Sequence, residues 1–253
     1  MVHLHYDILI TLIPFLDLPT LIEYTTLCQA LSQPALRQLW QQPRLTNPDQ
    51  LDCFIDILEA SVGSPTGPYH QYITGLTIAF SHLHPLPSVL ETLLCHHLPN
   101  LLYLSLYHTY AVYSPLIRHY RAHCCVFKDL SLPSGLTQLS VTDAAWTDDH
   151  LAHVASRCPA LTHANLMGFF SDKGLLALSD HCHKLQVLSL ALPRGLVQSN
   201  TITQIAIDRL AQSCPLLAKF TCRGQIRLHP HHVETTFLLH CPAFTYCDVG
   251  LDT

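Results

Sequence analysis

Apolar residues recur along most of this chain as Leu-x-x-Leu-x-Leu, with other apolar residues admitted at each place. The pattern falls at Ile73, Leu76 and Ile78, then at Leu101, Leu104 and Leu106, and at Phe127, Leu130 and Leu132. It returns at Leu161, Ala164 and Leu166, at Leu185, Leu188 and Leu190, at Leu217, Phe220 and Cys222, and at Phe244, Cys247 and Val249. The alternation at the end of each copy predicts a short strand with successive side chains on opposite faces. The stretches between copies predict helices. "TDDHLAHVASRC" offers Thr147 as an N-cap followed by two acids that favour the positive end of a helix, and "SDKGLLALSDHC" repeats the design from Ser171. Leu151 and Val154 share one face of the first, Leu175 and Leu178 of the second.

Two intervals break the rhythm. An additional "LTQLSV" starts at Leu136, too soon after Phe127 for a helix between them, and "LPRGLVQSNT" stretches the interval from Leu185 to Leu217 as a loop. Cys158, Cys182, Cys214 and Cys241 each stand three residues before the first apolar residue of a strand, with Cys124 in the same phase. A small apolar side chain is wanted where a helix turns inward, and free cysteine serves as one. Pro159, Pro215 and Pro242 come next and stop the helix.

Ahead of these copies the period is helical. Ile8, Leu9, Leu12, Phe15 and Leu16 have helix spacing, "DLP" interrupts it, and "TLIEYTTLCQAL" resumes it with Thr20 placed to cap. A further helix is expected in "NPDQLDCFIDILEA", with Asn47 as N-cap, Pro48 in the first turn, and Leu51, Phe54, Ile55 and Leu58 on one face. "SVGSPTGP", residues 61–68, is turn-rich and low in charge and reads as a linker.

Most spacings between copies lie in the leucine-rich-repeat range of roughly 20 to 29 residues. The "CPxL" phase and the "TD" and "SD" helix starts resemble the cysteine-containing leucine-rich repeats of ubiquitin-ligase substrate receptors, over about residues 70–250. The N-terminal segment is similar to an F-box, the helical module that binds a Skp-type adaptor in cullin ubiquitin ligases. Leu4 stands at that family's opening leucine, Asp7, Ile8 and Leu9 at its acidic-Ile-Leu triplet, and Leu16 and Asp17 at its Leu-Asp step. Leu21 and Cys28 match its second helix, and Leu39 and Trp40 its closing Leu-Trp. His5 replaces the usual proline, Pro14 sits late in the first helix, and Leu31 takes the place of a common tryptophan.

These resemblances imply an α/β fold: a leucine-rich-repeat solenoid, or horseshoe, behind a small all-α F-box-like module. The expected divisions are an F-box-like module over 1–42, a connecting helix and linker over 43–68, and the repeats over 69–253. The resemblance implies an adaptor-binding set of Leu4, Ile8, Leu9, Leu12, Phe15, Leu16 and Leu21, with a cullin bound through the adaptor. The repeats would hold a target protein for ubiquitin transfer. The alternative is a non-catalytic repeat scaffold whose N-terminal helices only cap the solenoid.

Composition narrows the partners. The chain is 49% hydrophobic and 12% charged, so little charge covers its surface. Its 13 Lys and Arg against 18 Asp and Glu give a net −5, with no basic run, which argues against nucleic-acid and membrane-surface binding. The first Lys or Arg is Arg37, so the apolar opening lacks the basic start of a signal peptide, and Asp17 interrupts it short of a membrane span. Eleven cysteines without a Cys-x-x-Cys suit a reduced compartment, cytoplasmic or nuclear.

Nineteen histidines raise a metal question at "CHH" (95–97), "HCH" (181–183) and "HPHH" (229–232). Zinc needs ligands that converge, whereas the cysteines follow the core period, and "HPHH" reads as a solvated loop. No metal, cofactor or catalytic site is expected: the chain has no Gly-x-Ser-x-Gly, His-Glu-x-x-His or Gly-x-x-x-x-Gly-Lys. Function is expected on the strand positions that alternate with the leucines. Tyr103 and Tyr107, His163 and Asn165, and Lys219 and Arg223 are the expected target contacts, since aromatic residues and Arg dominate binding hot spots. Lys219 and Arg223, read as about 7 Å apart along one strand, point to an acidic or phosphorylated target.

Overall fold

The computed structural model describes residues 6–62, 69–80, 93–94, 98–108, 132–192, 202–223 and 229–250. Helix α1 (Tyr6–Leu12) runs into a 3₁₀ turn at Ile13–Phe15. Pro14 sits at the start of that turn, where a missing N–H is tolerated. Helix α2 (Leu18–Leu27) begins at Asp17, whose carboxylate accepts the Thr20 N–H at 3.1 Å. The cap is therefore Asp17 and not the expected Thr20. Helix α3 (Gln29–Gln41) completes the unit, and Ile13, Leu21 and Ala35 form its small core.

A two-residue strand β1 (Arg44–Leu45) leads to α4 (Pro48–Ser61). As expected, the Asn47 side chain caps α4, accepting the Gln50 N–H at 2.8 Å, and Leu51, Phe54 and Leu58 are buried. Trp40, from the end of α3, stacks on Phe54 and on Tyr69 with ring centroids 5.7 and 4.7 Å away. These contacts join the helical unit to α4 and to the 3₁₀ turn at Tyr69–Gln71.

The strands β2 (Gly75–Phe80), β3 (Tyr103–His108) and β4 (Gln138–Thr147) come next. Then helices and strands alternate: α5 (Asp148–Arg157), β5 (His163–Phe169), α6 (Asp172–His181), β6 (Val187–Ala191), α7 (Gln204–Ser213), β7 (Lys219–Arg223), α8 (Pro230–His240) and β8 (Tyr246–Gly250). The eight strands among the described residues are parallel and lie in the sheet in chain order. Consecutive helices from α5 to α8 pack side by side. One core extends from Leu45 through Leu104, Leu166, Leu188 and Phe220 to Val249.

The sheet is stitched just before each strand from β2 to β8. Thr74 donates its N–H to the Gln41 carbonyl, Leu102 to Thr74, Thr137 to Leu102, Thr162 to Thr137, Gln186 to Thr162, Ala218 to Gln186 and Thr245 to Ala218. The hydroxyls of Thr137, Thr162 and Thr245 add a second bond to the same carbonyls. The helix starts are stitched too. Asp148, at the start of α5, accepts from the Ser171 N–H at 2.8 Å and from the Ser171 hydroxyl, and Asp172 accepts likewise from Thr203. The acids that favour a helix N-terminus thus also hold the cap of the next helix.

The leucine-rich-repeat horseshoe expected from the sequence is corrected. The described residues form an α/β fold, one continuous all-parallel sheet flanked by helices. The first strand arises within 43–68, ahead of the expected repeats, and the bonded steps Leu102–Thr137, Thr137–Thr162 and Ala218–Thr245 span 35, 25 and 27 residues, not one repeat length. Strand β4 starts close to the additional "LTQLSV", runs for ten residues and shifts register between Val141 and Trp146. An apolar strand preceded by a helix-ending turn is what any parallel sheet with helical crossovers imposes, so the leucine pattern marks strands without fixing a repeat. The copy at Phe127 and Leu130, Cys124, and most of the 61–68 linker and of "LPRGLVQSNT" lie outside the described residues.

Candidate functional site

Two surfaces carry the expected contacts. In the helical unit, Ile8, Leu12 and Phe15 succeed one another at four and three residues, the spacing of one helix face, and are 52%, 42% and 82% exposed. Leu9 and Leu16 are half-buried, Leu16 against the small core. Leu21 is buried in that core and is not presented, so its expected role as a contact is corrected to packing. Leu4 lies outside the described residues. Sequence reasoning missed Leu18 and Ile22, 62% and 53% exposed on one face of α2. Their four-residue spacing was the signal that could have found them.

The second surface is the sheet face between the buried leucine rows. Register places Tyr103, Gln138, His163, Val187, Lys219 and Tyr246 in one row across β3 to β8. The adjacent row is Thr77, Ser105, Ser140, Asn165, Ser189, Thr221 and Asp248, all short and polar, with Ser105 and Ser140 buried. Tyr107 lies beyond it on β3, 39% exposed, and Asn165 is exposed with its amide donating to the Ser140 hydroxyl at 3.4 Å. His163 is half-buried, its Nδ1 2.9 Å from the Thr162 hydroxyl.

Lys219 and Arg223 do share this face, both exposed at the ends of β7. The expected closeness does not hold: four strand positions separate them by about 13 Å. Arg223 is moreover turned to Asp248 of β8, with its Nε 3.0 Å from the carboxylate. Tyr246 also donates its hydroxyl to that carboxylate. An ion pair built into the sheet takes up much of the charge that an acidic target would have met.

The thiols do more than fill space. Cys182 Sγ donates to the Cys158 carbonyl at 3.7 Å, Cys214 Sγ to the Cys182 carbonyl at 3.5 Å, and Cys241 Sγ to the Cys214 carbonyl at 3.4 Å. Burial pushes the Cys158, Cys182 and Cys214 thiols up to about 12, so they stay protonated and unreactive as nucleophiles. "HPHH" is not the expected loop: His229 caps α8, accepting the His231 N–H, and residues 230–232 form its first turn. Among the described residues no three His, Cys, Asp or Glu side chains come together as a metal site, and no helix is long and apolar enough to cross a membrane. The "CHH" at 95–97 lies outside them.

No protein-family model matches the chain, and no curated protein matches it.

Proposed function

We propose that the chain is a non-catalytic substrate receptor of a cullin-type ubiquitin ligase. In this reading α1 and α2 dock on a Skp-type adaptor, which bridges to the cullin, and the polar sheet face receives the target protein. The carrying observation is the set Ile8, Leu12, Phe15, Leu18 and Ile22, large apolar side chains left exposed on a unit whose own small core is built on Ile13, Leu21 and Ala35. Apolar exposure of that kind is typical of an interaction site. The F-box-like order of residues in this same segment supplies the kind of partner.

A second reading, helices that only cap the sheet, draws on the Thr74 N–H bond to Gln41 and on the Trp40 stack. Those contacts involve the end of α3 and leave the exposed side chains of α1 and α2 without a use. The two readings separate in one experiment, the binding of a purified Skp-type adaptor to the full chain and to Phe15→Ser. Docking predicts binding that weakens at least about tenfold in the variant, as for a hot-spot aromatic. Absence of binding by the unsubstituted chain would leave capping.

A further inference from the structure

We propose that His150 is an acid-sensitive latch on the sheet: a proton on its ring opens the N-terminal cap of α5 and loosens the starts of the helices stacked after it. The inference is independent of the docking reading. In the usual capping box the third residue of a helix is Glu or Gln, whose side chain reaches back to the N-cap N–H. Here the N-cap is Thr147 and the third residue is His150. The Thr147 N–H donates to the His150 Nδ1 at 3.2 Å, and the Thr147 hydroxyl lies 2.8 Å from the same nitrogen. A backbone N–H can only donate, so Nδ1 carries no hydrogen and the neutral ring holds its proton on Nε2. A second proton would put an N–H where an acceptor is required.

The surroundings oppose that second proton. His150 is 6% exposed, its ring stacks on Trp146 with centroids 5.8 Å apart, and the N-terminal end of a helix is positive. Among the described residues, the titratable groups at this end of α5 and of the adjoining α6 are Asp148, Asp149, Asp172 and Lys173, with His153 one turn further along α5. β4 meets the ring with Trp146 and Thr147. The carboxylates that would favour an imidazolium are engaged: Asp148 accepts from Ser171 and from the Gly174 N–H at 3.1 Å, and Asp149 pairs with Lys173 at 2.6 Å. These bonds also carry the effect onward. Asp148 is the first residue of α5, so an opened cap releases the acid that holds the start of α6, and α6 begins in turn with Asp172, which holds Thr203 ahead of α7.

The test compares the full chain with His150→Gln and His150→Glu, each of which restores the ordinary capping-box acceptor. A bond made only by the neutral ring contributes stability above the ordinary histidine pKa of about 6.5, and that stability is lost as pH falls, because the unfolded chain takes up the proton the latch excludes. On going from neutral pH to about one unit below that value, the unfolding constant from urea curves should rise up to about tenfold more for the unsubstituted chain than for either variant. The other histidines titrate in all three chains and cancel in the difference. Tryptophan emission is the second readout: Trp40 is common to the three chains, so a change with pH that is present in the unsubstituted chain and absent from the variants reports Trp146 beside the opened ring. Equal pH dependence in the three chains overturns the latch and makes His150 a packing residue, whose replacement costs the same at both pH values. Emission of the unsubstituted chain that stays flat through this range overturns it without any variant.

Discussion

The helical unit of residues 6–41 and the sheet that begins at Arg44 are made of similarly apolar sequence, yet they place their large side chains oppositely. In the sheet, Leu104, Leu166, Leu188 and Phe220 are fully buried and the face between the leucine rows is hydroxyl, amide and charge. In the helical unit Ile13, Leu21 and Ala35 are inside while Ile8, Phe15, Leu18 and Ile22 are outside. The difference teaches where stability and recognition reside. A strand in a parallel sheet has neighbours on both sides and a helix above, so its apolar positions are covered within the chain. Three short helices enclose too little volume to cover theirs, and the surplus is available to a partner.

That comparison breaks most sharply at a leucine. Leu188→Ala removes a fully buried side chain from β6 and should lower stability by about 2–5 kcal/mol in urea denaturation. A loss under 1 kcal/mol would mean that the sheet core is as loose as the helical unit.

Next comes the tightest point of the sheet. A Cβ at Gly168 would lie 2.5 Å from the Trp146 carbonyl oxygen and 2.8 Å from the Trp146 Cβ, across the register shift between β4 and β5. Gly168→Ala should therefore cost about 1–3 kcal/mol as overpacking, while Gly135→Ala, with nothing within 4 Å, should cost nothing measurable. Matched urea curves of the two variants check this. Equal midpoints would show that β4 shifts freely.

The thiols sharpen the comparison through pH. Cysteine ionises ordinarily near 9.0, and burial holds Cys158, Cys182 and Cys214 at about 12 in the fold. Between those values the folded chain keeps protons that the unfolded chain has released. Stability from these thiols is therefore complete below pH 9 and falls as pH rises toward 12, by up to about 1.4 kcal/mol per pH unit for each thiol. Urea midpoints taken from neutral to alkaline pH should show the fall, and a variant with all three changed to Ala should show a flatter one.

The smallest expected effect lies at the other pole. Phe15→Ser should change stability by no more than about 0.5 kcal/mol, because the ring is 82% exposed. Unfolding of the chain by this substitution would show that Phe15 contributes to packing despite its exposure.

Much of the sheet is legible in the sequence because alternation is a local signal. Period alone places Leu76, Leu104, Leu166, Leu188 and Val249 correctly, and cap chemistry places Asn47 and Ser171. What fails depends on relations between distant residues. The horseshoe rests on a pattern that parallel α/β sheets also produce, and the surface role expected of Leu21 overlooks how the second helix packs back on Ile13 and Ala35, which no local spacing reports. The Arg223–Asp248 pair needs the register of two strands, its members being 25 residues apart. The polar row from Thr77 to Asp248 likewise exists only once the strands are aligned. The position of Asp17 ahead of a proline-containing first turn is in the sequence, and its shorter reach to the Thr20 N–H decides the cap.

The thiol-to-carbonyl row also makes the molecule its own probe of local opening. Cys182 can meet a labelling reagent only when its bond to the Cys158 carbonyl and the packing of α6 on α5 give way together, and Cys214 and Cys241 depend in the same manner on the layers before them. Exposed Cys28 and Cys53 react without such a step and set the reagent's intrinsic speed in the same sample. The ratio of labelling rates, cysteine by cysteine, is then a map of how often each layer of the sheet breathes, read from native residues with no introduced label.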